Sequence, residues 1–208
     1  MLMIFVHRWE SKMLDECLNY LCSRLNQSIK STFEVSDDIA LVSPPLDIDG
    51  AKASKRQNKI IVFISNLEKD PFSKLNPNQG GVNLGRATIK NKPLFLTLTV
   101  AVAANFTQDN YTDGLKLLSH VMAYFHRNNF FNGQNAPDLP ANIEQITLEM
   151  ESIPGDQINQ MWGVFGSQYL PSCLYRVRAQ VPDSESILGQ AGRIHLTHTN
   201  VKKEMFRW

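Results

Sequence analysis

A chain of 208 residues, 43% of them apolar and 20% charged, has the length and apolar content to bury one large core. This composition excludes a disordered or fibrous protein. The net charge is +1 and the basic residues are scattered, so the chain lacks an electrostatic footprint for nucleic acid or for an anionic membrane. We therefore expect protein or small-molecule partners, no nucleic acid and no membrane.

The amino-terminal residues form a short apolar segment. Residues 1–6 are apolar, but His7 and Arg8 follow at once, and six residues are too few for the hydrophobic region of a secretory signal. We interpret residues 1–9 as an N-terminal arm. The longest apolar run, residues 94–104, is shorter than the roughly 18 residues of a membrane span, so a soluble protein is predicted.

Three cysteines, Cys17, Cys22 and Cys173, are an odd set without CxxC spacing. They predict neither a disulfide framework nor a zinc site, and we expect no cofactor. Buried thiols in a reducing compartment are the simplest interpretation.

The first part of the chain predicts a helix, a strand and two loops. Apolar residues recur at helical spacing over residues 10–31, which is typical of an amphipathic helix with one buried stripe. Residues 46–58 are charged and predict a loop, and the β-branched run at 59–67 predicts a strand with most of both faces covered. The Gly- and Asn-rich residues 71–92 predict a mobile loop that is used for contact.

The best-defined unit is a strand, a turn and a helix. Apolar side chains occupy nearly both faces of residues 93–104, which predicts a central strand. A second amphipathic helix is predicted over residues 111–128, with Asn110 and Asp113 spaced as in a capping box. The side chains expected on its core face are Leu115, Leu118, Met122 and Phe125.

The following residues predict two strands around a third helix. Alternation over residues 143–152 places Ile146, Leu148 and Met150 on one packed face. A helix opens at Pro154, and a strand follows over residues 174–181.

Together these elements predict an α+β protein, a single domain with a mainly antiparallel or mixed sheet packed by about three helices. The domain is expected over residues 10–182, followed by a C-terminal extension at 183–208 with a strand-like piece at 194–199. The extension residues expected to bind the sheath or a neighbouring cap subunit are Ile194, Leu196, Lys202, Lys203, Phe206, Arg207 and Trp208.

The ionisable residues match no catalytic or metal-binding motif. His195 and His198 would point to opposite faces of a strand, a poor arrangement for sharing one metal. His120 and His126 lie six residues apart, so they diverge around the second helix. No nucleophile elbow, HExxH helix, P-loop or dinucleotide fingerprint occurs, so catalytic and metal residues are both predicted as none.

One carboxylate pair has two interpretations. Glu149 and Glu151 share a strand face and could in principle act as an acid–base pair. Arg176 and Arg178 carry the complementary charge and alternation, which favours cross-strand pairing on a wet sheet face instead. These four residues are the expected subunit interface.

Two stretches, residues 94–125 and 146–177, carry a family resemblance. Its most particular element is a short helix ending in Gly, a Tyr-x-Pro-Ser restart and a Tyr-bearing strand, formed by Asn159, Trp162, Gly166, Tyr169, Pro171, Ser172 and Tyr175. In these stretches the chain resembles the tube-terminator or cap proteins of contractile injection systems, and more distantly phage tail terminators. The resemblance covers roughly residues 10–182.

The resemblance implies a phage tail-terminator-like fold and a structural protein without catalytic residues. It implies a hexameric ring that closes the distal end of the inner tube, contacts the last sheath layer, ends polymerisation and fixes length. The partners would be copies of the chain, the inner tube protein and the sheath protein. Assembly would take place in the bacterial cytoplasm, within a particle that is released or membrane-anchored.

Two alternatives stay open on the residues alone. A sheath-joining or baseplate adaptor of the same machine would share the fold and bind at another position. A small ligand-binding or enzymatic α+β domain would instead need a concave pocket with converging polar groups.

Overall fold

The computed structural model describes residues 12–45, 56–70, 94–164 and 169–181, together with the backbone of residues 86–89 and 189–192. The α-helices in this part of the chain are α1 (Met13–Phe33), α2 (Tyr111–Arg127) and α3 (Gly155–Val164). The strands are β1 (Ala40–Val42), β2 (Lys59–Lys69), β3 (Arg86–Ile89), β4 (Leu94–Asn105), β5 (Phe130–Asn132), β6 (Gln145–Glu151), β7 (Ser172–Val181) and β8 (Gly189–Gly192).

The chain divides into two compact units. The larger lies within Met1–Leu75 and Pro93–Pro182, and the smaller within Asn76–Lys92 and Asp183–Trp208. The larger unit holds a six-stranded sheet in the order β1-β2-β4-β7-β6-β5. β1 runs parallel to β2 and the other neighbours are antiparallel. This mixed, mainly antiparallel sheet and its three helices confirm the predicted α+β class.

One face of the six-stranded sheet forms the main core with α1 and α2. The predicted stripe of α1 is buried, including Cys17, Leu21 and Leu25. The central position predicted for β4 is confirmed, since this strand lies between β2 and β7. The three cysteines are free and buried, as their spacing indicated. Sheet side chains on this face include Ile60, Val62, Leu98, Val100, Val102, Ile146, Leu148, Tyr175 and Val177.

The core face predicted for α2 is partly wrong. Leu115 and Met122 are each 38% exposed. A Cβ on Gly114 would lie only 2.8 Å from the ring of Phe106, which precedes the helix. The helix therefore packs closely against Phe106 on the side where Gly114 lies. This close approach turns the face that carries Leu115 toward solvent. The buried residues of the helix are Gly114, Leu118, Val121, Tyr124 and Phe125.

The capping box expected at the start of α2 is also absent. A 3-10 turn at Gln108–Asn110 runs directly into the helix, and Asn110 has φ −109° and ψ 13°. An N-cap residue requires extended backbone, and the Asn110 side chain makes no capping hydrogen bond.

Along β6 the prediction fails at one position. Ile146 and Leu148 are buried as expected, but Met150 is 51% exposed. β5 pairs only with residues 145–147, so the end of β6 runs beyond this strand, and no described strand lies beside Met150 on that side.

The smaller unit contains an antiparallel pair, β3 with β8, in which Arg86 stands opposite Gly192 and Ile89 opposite Gly189. The interpretation of residues 71–92 as a loop is therefore wrong for residues 86–89. The partner strand β8 lies about a hundred residues later along the chain. β3 has only four residues, and β8, with the sequence GQAG, carries no alternating side-chain pattern. The strand predicted at 194–199 lies outside the described residues.

Candidate interaction surface

The second face of the six-stranded sheet changes character along its strands. At one end lie the apolar side chains of Ile61, Phe63, Ala101, Ala103 and Leu174, which pack together with Trp162 of α3. We call these sheet residues the apolar half-face. The other end is polar, so only part of this face is built to be buried by the subunit's own helix.

Trp162 closes the apolar half-face. It is 4% exposed, and its ring meets that of Phe63 edge to face at 6.1 Å. The ring of Tyr169 also meets the indole edge to face, at 6.2 Å, and is itself 61% exposed. Aromatic contacts of this edge-to-face kind stabilise beyond the area they bury.

The predicted motif occupies the connection from α3 to β7. The Pro171 carbonyl accepts a hydrogen bond from Ala104 N–H at 2.9 Å, and Ser172 stands opposite Ala103 on β4. Tyr175 lies on the main-core side, with its ring 5.3 Å from Phe125. Asn159 is exposed on α3, and Gly166 lies outside the described residues. The motif residues are therefore divided between the two faces of the sheet.

The polar half-face consists of two rows of side chains that cross four strands. Register places Glu68, Thr97, Arg178 and Thr147 side by side in the first row. The second row contains Asn66, Thr99, Arg176 and Glu149. The structure thus brings all three of the predicted residues Glu149, Arg176 and Arg178 onto one surface, with Glu151 at its border.

Both arginines of the polar half-face have a carboxylate partner within the subunit. Arg176 donates to the carboxylate of Glu151. Arg178 Nε lies 4.0 Å from Asp70 Oδ2, and Asp70 is buried at the end of β2. Sequence reasoning missed Asp70, because it reaches Arg178 only across β4, and the register of three strands cannot be inferred from local pattern.

Other ionisable groups give no sign of a reactive centre in the part of the chain that the structure describes. His120 shares a 2.9 Å hydrogen bond with Ser28, and burial followed by the charge of Arg127 lowers its pKa. No cluster of three or more metal-ligating side chains is found among the described residues. The described helices include none that is long and apolar enough to cross a bilayer. His195 and His198 lie outside the described residues, as do all of the extension residues predicted to bind a neighbour, Ile194, Leu196, Lys202, Lys203, Phe206, Arg207 and Trp208.

Solved structures with a similar fold include two terminator proteins. The chain superposes on the sheath/tube terminator of an extracellular contractile injection system, PVC, in its extended state, with a TM-score of 0.59 and 13% identity. It superposes on the tube-terminating cap of the anti-feeding prophage with a TM-score of 0.53 and 14% identity. These alignments cover 93% and 86% of this chain, but only 64% and 59% of those chains. At such identities the likeness establishes the fold.

Sequence comparison identifies the family. No curated protein matches the chain. The family model described as the Pvc16 N-terminal domain matches residues 17–195, which is most of the sequence. This chain therefore belongs to the Pvc16 N-terminal domain family.

Proposed function

We propose that this chain is a tube-terminating cap of a contractile injection system. In this role it closes the distal end of the inner tube and the last sheath layer, ends polymerisation and fixes particle length. The observation that carries the proposal is the fold shared with a sheath/tube terminator over 93% of the chain, together with family membership. The work is done by surfaces, so no catalytic residue, metal or cofactor is required.

A cap on a ring-built tube must itself form a closed ring, and we propose a hexamer. Head-to-tail rings need two different complementary surfaces on each subunit. The polar half-face is proposed as one of them, through Arg176, Arg178, Glu149 and Glu151. Its support is an exposed, preorganised set of charges on a rigid sheet, which suits a specific but not strongly apolar contact.

The extension beyond β8 is proposed to bind the sheath or a neighbouring cap subunit. Residues 194–199 would add as a strand to a sheet of the sheath protein, or to the two-stranded β3–β8 sheet of a neighbouring cap subunit, where backbone hydrogen bonds give affinity. Phe206 and Trp208 would anchor the end, while the basic residues around them would meet an acidic rim. The described part of the extension already forms the strand β8, which supports strand character in this region.

Truncation separates the cap role from folding. Deleting residues 194–208 leaves β8 and its partner β3 in place. The truncated chain should keep the circular dichroism spectrum and melting temperature of the full chain but fail to terminate particles, which electron microscopy would record as tubes of irregular length. Particles of normal length with intact sheath would exclude the extension from capping.

Position within the particle tests the proposal as a whole. A gold label on the chain should appear only at the distal tip, opposite the baseplate. Label along the sheath or at the baseplate would favour a sheath-joining or baseplate adaptor. A protein that stays monomeric and never reaches particles would leave the ligand-binding or enzymatic alternative. Whether subunits assemble in the bacterial cytoplasm is tested in the same cells by imaging before lysis.

A further inference from the structure

We propose that two asparagine side chains, Asn26 and Asn135, close the two edges of the six-stranded sheet against strand addition by a second copy of this chain. An edge strand presents unpaired N–H and C=O groups that can pair with another chain.

At the β1 edge the outward-facing backbone belongs to alternate residues. Ile60 N–H donates to the Ile39 carbonyl at 2.9 Å, and Ser43 N–H donates to the Val62 carbonyl at 3.2 Å. The backbone N–H and C=O groups of odd-numbered residues along β1 therefore point toward β2, and those of Ala40 point away from the sheet.

Asn26 of α1 takes the place of a neighbouring strand at Ala40. Its Nδ2 donates to the Ala40 carbonyl at 2.8 Å, and its Oδ1 accepts from Ala40 N–H at 2.8 Å. Oδ1 also accepts from Ile39 N–H at 2.9 Å. A carboxamide offers the same donor and acceptor as a peptide group, so it satisfies the edge without extending the sheet.

The rest of the β1 edge has few backbone groups that could pair with an incoming strand. The next outward residues are Val42 and Pro44; proline lacks an N–H, and the Pro44 carbonyl already accepts from Arg56. A polar cleft of about 480 Å³ lies beside this edge, between α1 and β1. Among the described residues the cleft reaches this edge, and at Ala40 the buried carboxamide of Asn26 takes the place of a strand.

The same arrangement closes the opposite edge at β5. Leu148 N–H donates to the Asn129 carbonyl at 2.8 Å, so the backbone of Phe130 and Asn132 faces away from β6. Asn135 Nδ2 donates to the Phe130 carbonyl at 2.9 Å, and its Oδ1 accepts from Asn132 N–H at 2.8 Å.

A tight turn holds Asn135 in this position. Its own N–H donates to Asn132 Oδ1 at 3.1 Å, and Ala136 N–H donates to the Asn132 carbonyl at 2.8 Å. Asn26 is buried, whereas Asn135 is exposed. Asn135 is therefore the residue that can be removed without disturbing the core.

The experiment compares the full chain with N135A and with a matched control, Q134A. Gln134 is the preceding exposed carboxamide, and its backbone N–H, not its side chain, joins the turn. Amide hydrogen exchange at Asn132 and sedimentation velocity over a hundredfold concentration range are measured on each protein. N135A should exchange at Asn132 at least tenfold faster. N135A should begin to associate into heavier species at a concentration at least tenfold lower than the unsubstituted chain does. Q134A should match the unsubstituted chain in both measurements.

Two outcomes overturn the proposal. Faster exchange without new association means that Asn135 serves the turn alone. Unchanged exchange means that its side chain does not protect the edge. N26A gives a second test at the other edge, with Q27A as its control on the exposed side of α1, and exchange at Ala40 should accelerate by the same factor in N26A only.

Discussion

Arg176 donates to the carboxylate of Glu151, although the residue directly opposite Arg176 on β6 is Glu149. Glu151 itself stands opposite Leu174, at the border of the apolar half-face. The ion pair therefore runs diagonally from the polar half-face to the part of the sheet covered by α3. Glu149 stays exposed beside an arginine that already has a carboxylate partner. A neighbouring subunit that docks on this surface should bring a basic group to Glu149.

Charge reversal at Arg178 tests the polar half-face as a subunit interface. R178E places a second carboxylate beside Asp70 and changes an exposed charge in the middle of the surface. If the surface joins subunits of the proposed ring, R178E should give smaller species than the unsubstituted chain in native mass spectrometry, because like charges across a contact cost several kcal/mol, on the order of a thousandfold in affinity. K116E, which reverses an exposed charge on α2, is the control. An unchanged ring mass for R178E would remove this surface from the interface.

Two glycine substitutions should have opposite effects on stability. In G114A the new Cβ would lie 2.8 Å from the Phe106 ring, so overpacking of about 1–3 kcal/mol should outweigh a gain in helix propensity of about 1 kcal/mol. In G163A nothing lies within 4 Å of the new Cβ, so the free energy of unfolding should stay the same or rise by up to about 1 kcal/mol. Urea denaturation measures both. Equal effects of the two substitutions would mean that the helix does not approach Phe106 in this way.

Trp162 should dominate the stability of the apolar half-face. W162A removes a buried ring from Phe63 and Leu174, and the free energy of unfolding should fall by about 3–5 kcal/mol. Y169A removes a mostly exposed ring from the same cluster and should cost less than about half as much. Chemical denaturation of the two variants, followed by near-ultraviolet circular dichroism, gives the comparison. Equal losses would indicate that α3 is held by Tyr169 as much as by Trp162.

The cysteines should be inert in the folded chain. Burial raises the pKa of the Cys17 and Cys22 thiols from 9.0 to about 12, and that of Cys173 to about 11. At pH 8 a thiol reagent should therefore label the native chain at least about a hundredfold more slowly than the chain in urea, because the thiolate is the nucleophile. Rapid native labelling of any one cysteine would contradict its burial.

The same thiols link stability to pH. Their folded pKa values are raised, so the protonated form is favoured in the native state. Below pH 9 the thiols are protonated in both the folded and the unfolded chain, and their full contribution to the free energy of unfolding is present. As pH rises from 9 toward 12 the unfolded chain loses these protons first, so the free energy of unfolding falls. The C17A variant, compared with the unsubstituted chain at pH 8 and pH 10.5, should show a smaller fall. Equal falls would mean that Cys17 does not contribute.

Periodicity by itself determined the helices and the long strands of this protein. The stripe from Cys17 to Ile29 can be buried only on one face of a helix. β4 carries apolar side chains on both faces because helices pack on both faces of the sheet at this strand. Local spacing was sufficient in these segments, because the apolar side chains of each segment define the face that must be buried, regardless of which element packs on it. The helix that carries Trp162 and the strand that follows Pro171 were likewise predicted from the local pattern.

Tertiary structure alone decided which residues meet across the chain. Asp70 faces Arg178 because two strand pairings through β4 set the register, and Leu115 is exposed because Gly114 lets Phe106 approach α2. β8 forms from glycine, glutamine and alanine because backbone hydrogen bonds to β3 hold it, and these carry no side-chain pattern. The edge bonds of Asn26 and Asn135 are of the same kind. A carboxamide can bond any exposed peptide group, so only the fold selects which one it reaches.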